Sequence, residues 1–286
     1  MPKVAIKQVD AFTAVPLEGN PAGVVTAAEG LSGEEMQRIA REMNCSETAF
    51  VLRSKRGDFR LRYFTPAVEV DLCGHATIAT LHALREEGRA AGVMRVETNV
   101  GLLAMEAAAD GMCWMQQAQP AFRPFAEDPD EIAALLGLRP VDLEPEGGIG
   151  IAYTGLWDLL VAVRDLSALQ GAHPDPGALA EHNRRHGITS THLYCRETML
   201  PGSTLHTRDF SPAAGVAEDP HTGTANGALG AYLVAEGRLA PGHHVFEQGW
   251  TVGRPGQIHV EVSPGGKGVR VGGEAVTVIV GSIFLS

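Results

Sequence analysis

Hydrophobic and polar positions alternate in short, β-branched runs along most of the chain, separated by Gly, Pro and Asn, and few stretches switch to helical spacing. These runs predict strands at Val4–Val9, Thr48–Leu52, Phe59–Phe64, Met94–Glu97, Leu102–Glu106, Leu159–Val163, His192–Cys195, His259–Val262 and Val276–Leu285. Helical spacing is clearest from Ser32 to Met43. There Met36, Ile39, Ala40 and Met43 share one face, and Ser32 with Glu35 can form a capping box. Asp130–Leu136 and Pro176–His182 predict shorter helices.

The stretch EDPHTGTANGALGAYLVAEGR, Glu218 to Arg238, also reads as a helix, yet carries Gly223, Gly227 and Gly230 on one face. Each glycine costs roughly 0.5–1 kcal/mol against alanine in a helix interior, so three imply a packing or functional demand. An internal repeat offers the packing half of the answer. CGHATIATLHALREEGR (Cys73–Arg89) overlies TGTANGALGAYLVAEGR (Thr222–Arg238) at an offset of 149 with seven identities in seventeen positions. Upstream, RYFTPA (Arg62–Ala67) meets RDFSPA (Arg208–Ala213), with three extra residues before the second helix. The repeat predicts two similarly built α/β (α+β) domains. In each, a curved sheet wraps a central helix poor in large side chains. The domain boundary is expected near Gln116–Phe122.

Charge narrows the partners. With 23 basic and 34 acidic residues the net charge is −11, which opposes binding to nucleic acid or to anionic membranes. The longest apolar run, at 275–285, is too short to span a bilayer, and the N-terminus lacks the pattern of a signal peptide. Four cysteines without disulfide or zinc-knuckle spacing fit a reduced, cytoplasmic setting. A metal is not expected, because His243 and His244 are adjacent and no histidine pair sits in an obvious acidic ligand cluster. The glycines match neither dinucleotide nor P-loop fingerprints.

Both repeats start their helix with a thiol or hydroxyl, a glycine and a polar residue: Cys73-Gly74-His75 and Thr222-Gly223-Thr224. Helix N-termini offer unpaired N–H groups and partial positive charge, so each start is a candidate carboxylate site. Facing one another across a cleft, the two would clamp one substrate and stabilise an enolate formed beside it. The alternative at the second start is ordinary capping, with Asp219 as N-cap and Pro220 in the first helical position.

DAFTAVPLEGNPAGVV (10–25), NCSETAFV (44–51), FTPAVEVDLCGHATIAT (64–80), RDFSPAAGVAEDPHTGTANGA (208–228) and EQGWTVGRPGQIHV (247–260) together resemble the PhzF family of phenazine-biosynthesis-like isomerases. The resemblance spans nearly the whole chain. It implies the diaminopimelate-epimerase-like fold, with an N-terminal domain of 1–117 plus 276–286 and a C-terminal domain of 118–275. It also implies a homodimer that uses no metal or organic cofactor. By resemblance, Glu47 is the acid/base. His75 and Asp219 bind and orient the substrate or relay protons, Gly74, Gly223 and Thr224 donate to its carboxylate, and Asn20 lies on the substrate side. Thr224 replaces the family's usual serine and keeps the hydroxyl.

The implied reaction is a cofactor-independent proton shift on a small carboxylated metabolite. Two alternatives stand beside it. One is a racemase or epimerase using Cys73, although the matching position holds Thr222, too weakly acidic to serve as a second thiol-type base. The other is a non-catalytic small-molecule-binding protein on the same scaffold. Arg208 and Arg254 are candidates to meet acidic groups of a ligand or of the protein itself.

Overall fold

Each apolar run named above lies within a strand of the computed structural model, save for the last residue at two of them, Val163 and Leu285, and the structure describes residues 3–145 and 148–285. The chain divides into two units, Met1–Gln116 with Gly272–Ser286, and Gln117–Val271. The first unit runs β1 (Lys3–Ala11), β2 (Asn20–Val25), α1 (Gly33–Met43), β3 (Glu47–Leu52), β4 (Phe59–Phe64), β5 (Glu69–Val70), α2 (Gly74–Glu86), β6 (Gly92–Thr98), β7 (Gly101–Ala107) and β8 (Cys113–Gln116). The second runs β9 (Ala121–Arg123), α3 (Pro129–Leu135), β10 (Ile149–Tyr153), β11 (Trp157–Ala162), α4 (Leu166–Gly171), α5 (Pro176–His186), β12 (Ser190–Cys195), β13 (Leu205–Ser211), β14 (Val216–Asp219), α6 (Gly223–Ala235), β15 (Gly242–Gln248), β16 (Gly256–Val262) and the start of β17 (Val269–Gly273), whose last two residues return to the first unit. A last strand, β18 (Ala275–Phe284), pairs antiparallel with β1 and belongs to the first unit.

The repeat is topological as well as sequential. In the first unit β2 and β3 pair parallel, β3 and β4 antiparallel, β4 and β6 parallel, and β6 and β7 antiparallel. In the second, β11, β12, β13, β15 and β16 follow the same series. Small antiparallel strands β5 and β14 flank β4 and β13 just before each helix. The residues that recur in sequence hold these parts in the same way. Arg62 makes a two-pronged bond to Glu69 at 2.7 and 2.7 Å, and Arg208 makes one to Glu218 at 2.9 and 2.8 Å. Each guanidinium also lies over the next phenylalanine, Phe64 at 5.0 Å and Phe210 at 4.7 Å. At the other end, Gly88 and Gly237 adopt φ of 68° and 69° and let Arg89 and Arg238 donate back to Leu84 and Leu233, both at 2.8 Å.

Helix α2 is buried continuously from His75 to Leu84 and packs against β1, β2, β3, β7, β8 and β18, so the sheet of the first unit curves around it. In the second unit α6 packs against β10, β11 and β16. Its glycines are set by that closeness. A Cβ on Gly230 would lie 2.8 Å from Val260 Cγ1 and 3.1 Å from Val262 Cγ2, and one on Gly227 would lie 3.1 Å from Val271 Cγ1. The helix itself is shorter than the sequence predicts. It begins at Gly223, while Glu218 and Asp219 end strand β14, so Asp219 is not a cap and Pro220 is not a first helical residue.

Candidate active site

In the first unit, α1 ends on Asn44 in the left-handed conformation (φ 52°), and the chain turns through Cys45 and Ser46 into β3 at Glu47. Thr48 to Val51 are buried beyond it, whereas the Glu47 side chain keeps 20% exposure. His75, the second residue of α2, brings Nε2 to 3.3 Å from Glu47 Oε2 and 3.2 Å from Ser46 Oγ. Its Nδ1 lies 3.4 Å from Cys73 Sγ. Burial pushes the His75 imidazole below its ordinary pKa, against an opposing pull from the Glu47 carboxylate, so the ring is neutral near pH 7. A neutral imidazole beside a partly exposed carboxyl can hold and pass one proton. Asn20 opens β2 and is buried, and the same strand pairs Ala22 with Glu47 in parallel register. Thus Asn20, Glu47, Gly74 and His75 all fall at neighbouring strand and helix starts in one unit.

In the second unit, Thr222 Oγ1 donates to Asp219 Oδ2 at 2.6 Å, fixing the carboxylate beside the start of α6. Gln248, fully buried, ties this corner together. Its Oε1 accepts from Thr222 N at 3.2 Å and Asn226 Nδ2 at 2.7 Å, and its Nε2 donates to Asp219 O at 2.9 Å and to Thr222 Oγ1 at 3.3 Å. Gly223 and the half-buried Thr224 form the first turn, and Thr224 O accepts from Thr154 Oγ1 at 3.0 Å. Sequence reasoning passed over Gln248 and Asn226. The available signal was a polar amide inside the EQGW segment and another inside a helix otherwise built of small residues.

The two helix starts differ from the other α-helices among the described residues. Ser32, Asp128, Asp165 and Asp175 each cap α1, α3, α4 and α5 with a side chain that accepts from a first-turn N–H. Cys73 and Thr222 make no such bond. Their side chains turn instead to His75 and Asp219. The first-turn N–H groups of α2 and α6 are therefore left without a side-chain acceptor, as an anion-binding helix end requires. Arg208 plays another part: besides Glu218 it donates to the carbonyls of Leu169 and Ala172, both at 2.8 Å, and holds the fold.

Two donor sets of metal-ligand type occur among the described residues: Glu47 with Cys73 and His75, and Glu127 with His182 and His186. The second corrects the expectation that no histidine pair sits in an acidic ligand cluster. The pair lies one helical turn apart on α5, and Glu127, 55 residues earlier, reaches it only in the folded chain. Cys113 and Cys195 are buried thiols pushed up to about 12, which makes them poor nucleophiles.

The family model described as phenazine biosynthesis-like protein (PhzC-PhzF) matches residues 9–281. Among curated relatives, the uncharacterised isomerase YfhB of Bacillus subtilis is 37% identical over 95% of this chain and 94% of its own. The trans-2,3-dihydro-3-hydroxyanthranilate isomerase of Pseudomonas aeruginosa is 35% identical over 97% of this chain and 98% of its own. The crystal structure of a PhzF-family phenazine biosynthesis protein from Bacillus anthracis superposes with a TM-score of 0.93 at 36% identity, covering all of both chains. A hydroxyproline epimerase from Agrobacterium vitis shares the fold alone, with a TM-score of 0.63 at 17% identity over 99% of this chain and 91% of that one.

Proposed function

The chain belongs to the phenazine biosynthesis-like family and is a PhzF-like isomerase, and from that premise we propose that Glu47 is its general acid/base. Glu47 removes a proton from a carbon of a small carboxylated substrate, exchanges it with solvent through its partly exposed side chain and delivers a proton to another carbon, with no cofactor taking part. The observation that carries this reading is the Glu47–His75 contact at 3.3 Å, beside a helix start whose N–H groups have no side-chain cap. His75 orients Glu47 and shares its proton. Asn20 and Gly74 bind substrate in the first unit, and Asp219, Gly223 and Thr224 do so in the second, Asp219 being held by Thr222 and Gln248.

The name of the Pseudomonas aeruginosa relative directs the search for a substrate to cyclic, unsaturated amino carboxylates. Such compounds, screened in D2O, are expected to gain one solvent deuteron with wild type and none with Glu47→Gln. A Cys73-based racemisation is less well supported, because Thr222, its counterpart in the repeat, spends its hydroxyl on Asp219. The proposal includes a homodimer, for which the exposed apolar side chains Ile279, Val280 and Phe284 on β18 offer a surface. It also includes a cytoplasmic setting, in keeping with four buried cysteines that form no disulfide among the described residues.

A further inference from the structure

We propose that Glu127, His182 and His186 form a binding site for a divalent cation of the zinc class, in the second unit and outside the machinery described above. His182 and His186 stand at i and i+4 on α5, and their rings lie 4.7 Å apart. Each directs a nitrogen to a different oxygen of one carboxylate, His182 Nε2 to Glu127 Oε2 at 2.8 Å and His186 Nδ1 to Glu127 Oε1 at 3.5 Å. Tetrahedral zinc with bonds of about 2.0–2.1 Å separates its ligand atoms by about 3.3–3.5 Å. The longer contact already has that spacing. The shorter one must open by about half an ångström, a small pivot for a glutamate that precedes the cap of α3.

His182 is the anchored ligand. Its side chain is 7% exposed, and its Nδ1 lies 3.2 Å from Asn183 Oδ1, which also accepts from Thr191 Oγ1 at 3.1 Å. That acceptor favours the tautomer with its proton on Nδ1, which turns the Nε2 lone pair toward Glu127, the arrangement that a cation placed between them would use. Half-exposed His186 and Glu127 leave the site open to solvent, so a water can complete the coordination. Nearby Arg123 is drawn elsewhere, to the carbonyls of His186 and Gly187 and over the Trp157 ring at 4.1 Å. The two histidines and the carboxylate suit Zn2+ better than a hard cation such as Mg2+.

Titration of the metal-free, full-length protein with Zn2+ against a chromophoric chelator tests the site. One equivalent should bind to wild type, with affinity at least about tenfold weaker in His186→Ala and in Glu127→Gln, two partly exposed positions where substitution leaves the fold intact. Co2+ substitution separates this site from the Glu47, Cys73 and His75 set. An absorption spectrum without thiolate-to-metal charge transfer, unchanged in Cys73→Ser, supports the proposal. Equal Zn2+ affinity in wild type and His186→Ala, or a thiolate band lost in Cys73→Ser, would overturn it.

Discussion

Replacing Gly230 by alanine separates two opposed effects in α6. On an isolated helix the change stabilises by about 1 kcal/mol through propensity, and a methyl group that fits its surroundings adds about 0.8 kcal/mol. Here the new Cβ would sit 2.8 Å from Val260 Cγ1 and 3.1 Å from Val262 Cγ2, inside the roughly 3.5–4.0 Å at which carbon atoms attract. Neither valine can yield easily: both are buried on β16, β-branched and stiff at χ1. Overpacking of this kind costs about 1–3 kcal/mol. The expected net effect of Gly230→Ala is a loss of about 1 kcal/mol, read as a lower urea midpoint at unchanged slope. In the double variant with Val260→Ala the overpacking disappears, giving a favourable coupling of about 1–2 kcal/mol. A single variant more stable than wild type, or a coupling of zero, would refute the claim that contact with β16 requires this glycine.

The buried, neutral His75 has its pKa depressed on folding, so the unfolded chain takes up the proton first as pH falls below about 6.5. Stability owed to this group is therefore present above that pH and lost below it. The urea midpoints of wild type and His75→Gln should draw together between pH 8 and pH 5, and a constant gap would contradict the neutral-ring account. Asp158 is the opposite case: burial, then the neighbouring Asp209 carboxylate, hold its pKa well above the ordinary range. Its contribution is complete below about pH 4 and lost as pH rises toward the folded value, so Asp158→Asn should gain stability on wild type from pH 4 to 7, and parallel pH profiles would exclude this. Gln248→Leu removes the acceptor of one Asn226 amide hydrogen and of the Thr222 N–H, leaving Asn226 Nδ2 its bond to Thr222 O at 3.0 Å. Chemical denaturation should show a loss of about 2–4 kcal/mol, and a near-neutral result would remove Gln248 from its positioning role.

What the sequence made legible follows the physics of each segment. Ser32 and Glu35 announced the capping box, which forms with Ser32 Oγ accepting from Glu35 N at 3.2 Å, and Phe59–Phe64 declared a strand by the alternation of Phe59, Leu61 and Tyr63 with Arg60 and Arg62. Strand β13 escaped because all seven of its residues are buried although His206, Thr207, Arg208, Asp209 and Ser211 are polar. Their partners, Glu247, Glu218, His192 and Ser190 among them, come from other strands and leave no local periodicity. Strand β2 was hidden by Pro21 and Gly23, the latter pressed against Thr48 of β3. Among the proposed site residues, Glu47, His75 and Asp219 were visible through motifs. Gln248 and the Glu127, His182 and His186 cluster depend on contacts across 22 to 59 positions of sequence, beyond the reach of spacing rules.

The role of Glu47 is the central claim, and solvent deuterium incorporation into a turned-over carboxylate substrate tests it most directly. Wild type and Cys73→Ser should both introduce one deuteron per product, while Glu47→Gln, folded and equally stable, should introduce none and form no product. Full exchange by Glu47→Gln together with its loss in Cys73→Ser would contradict the account and move the chemistry to the thiol.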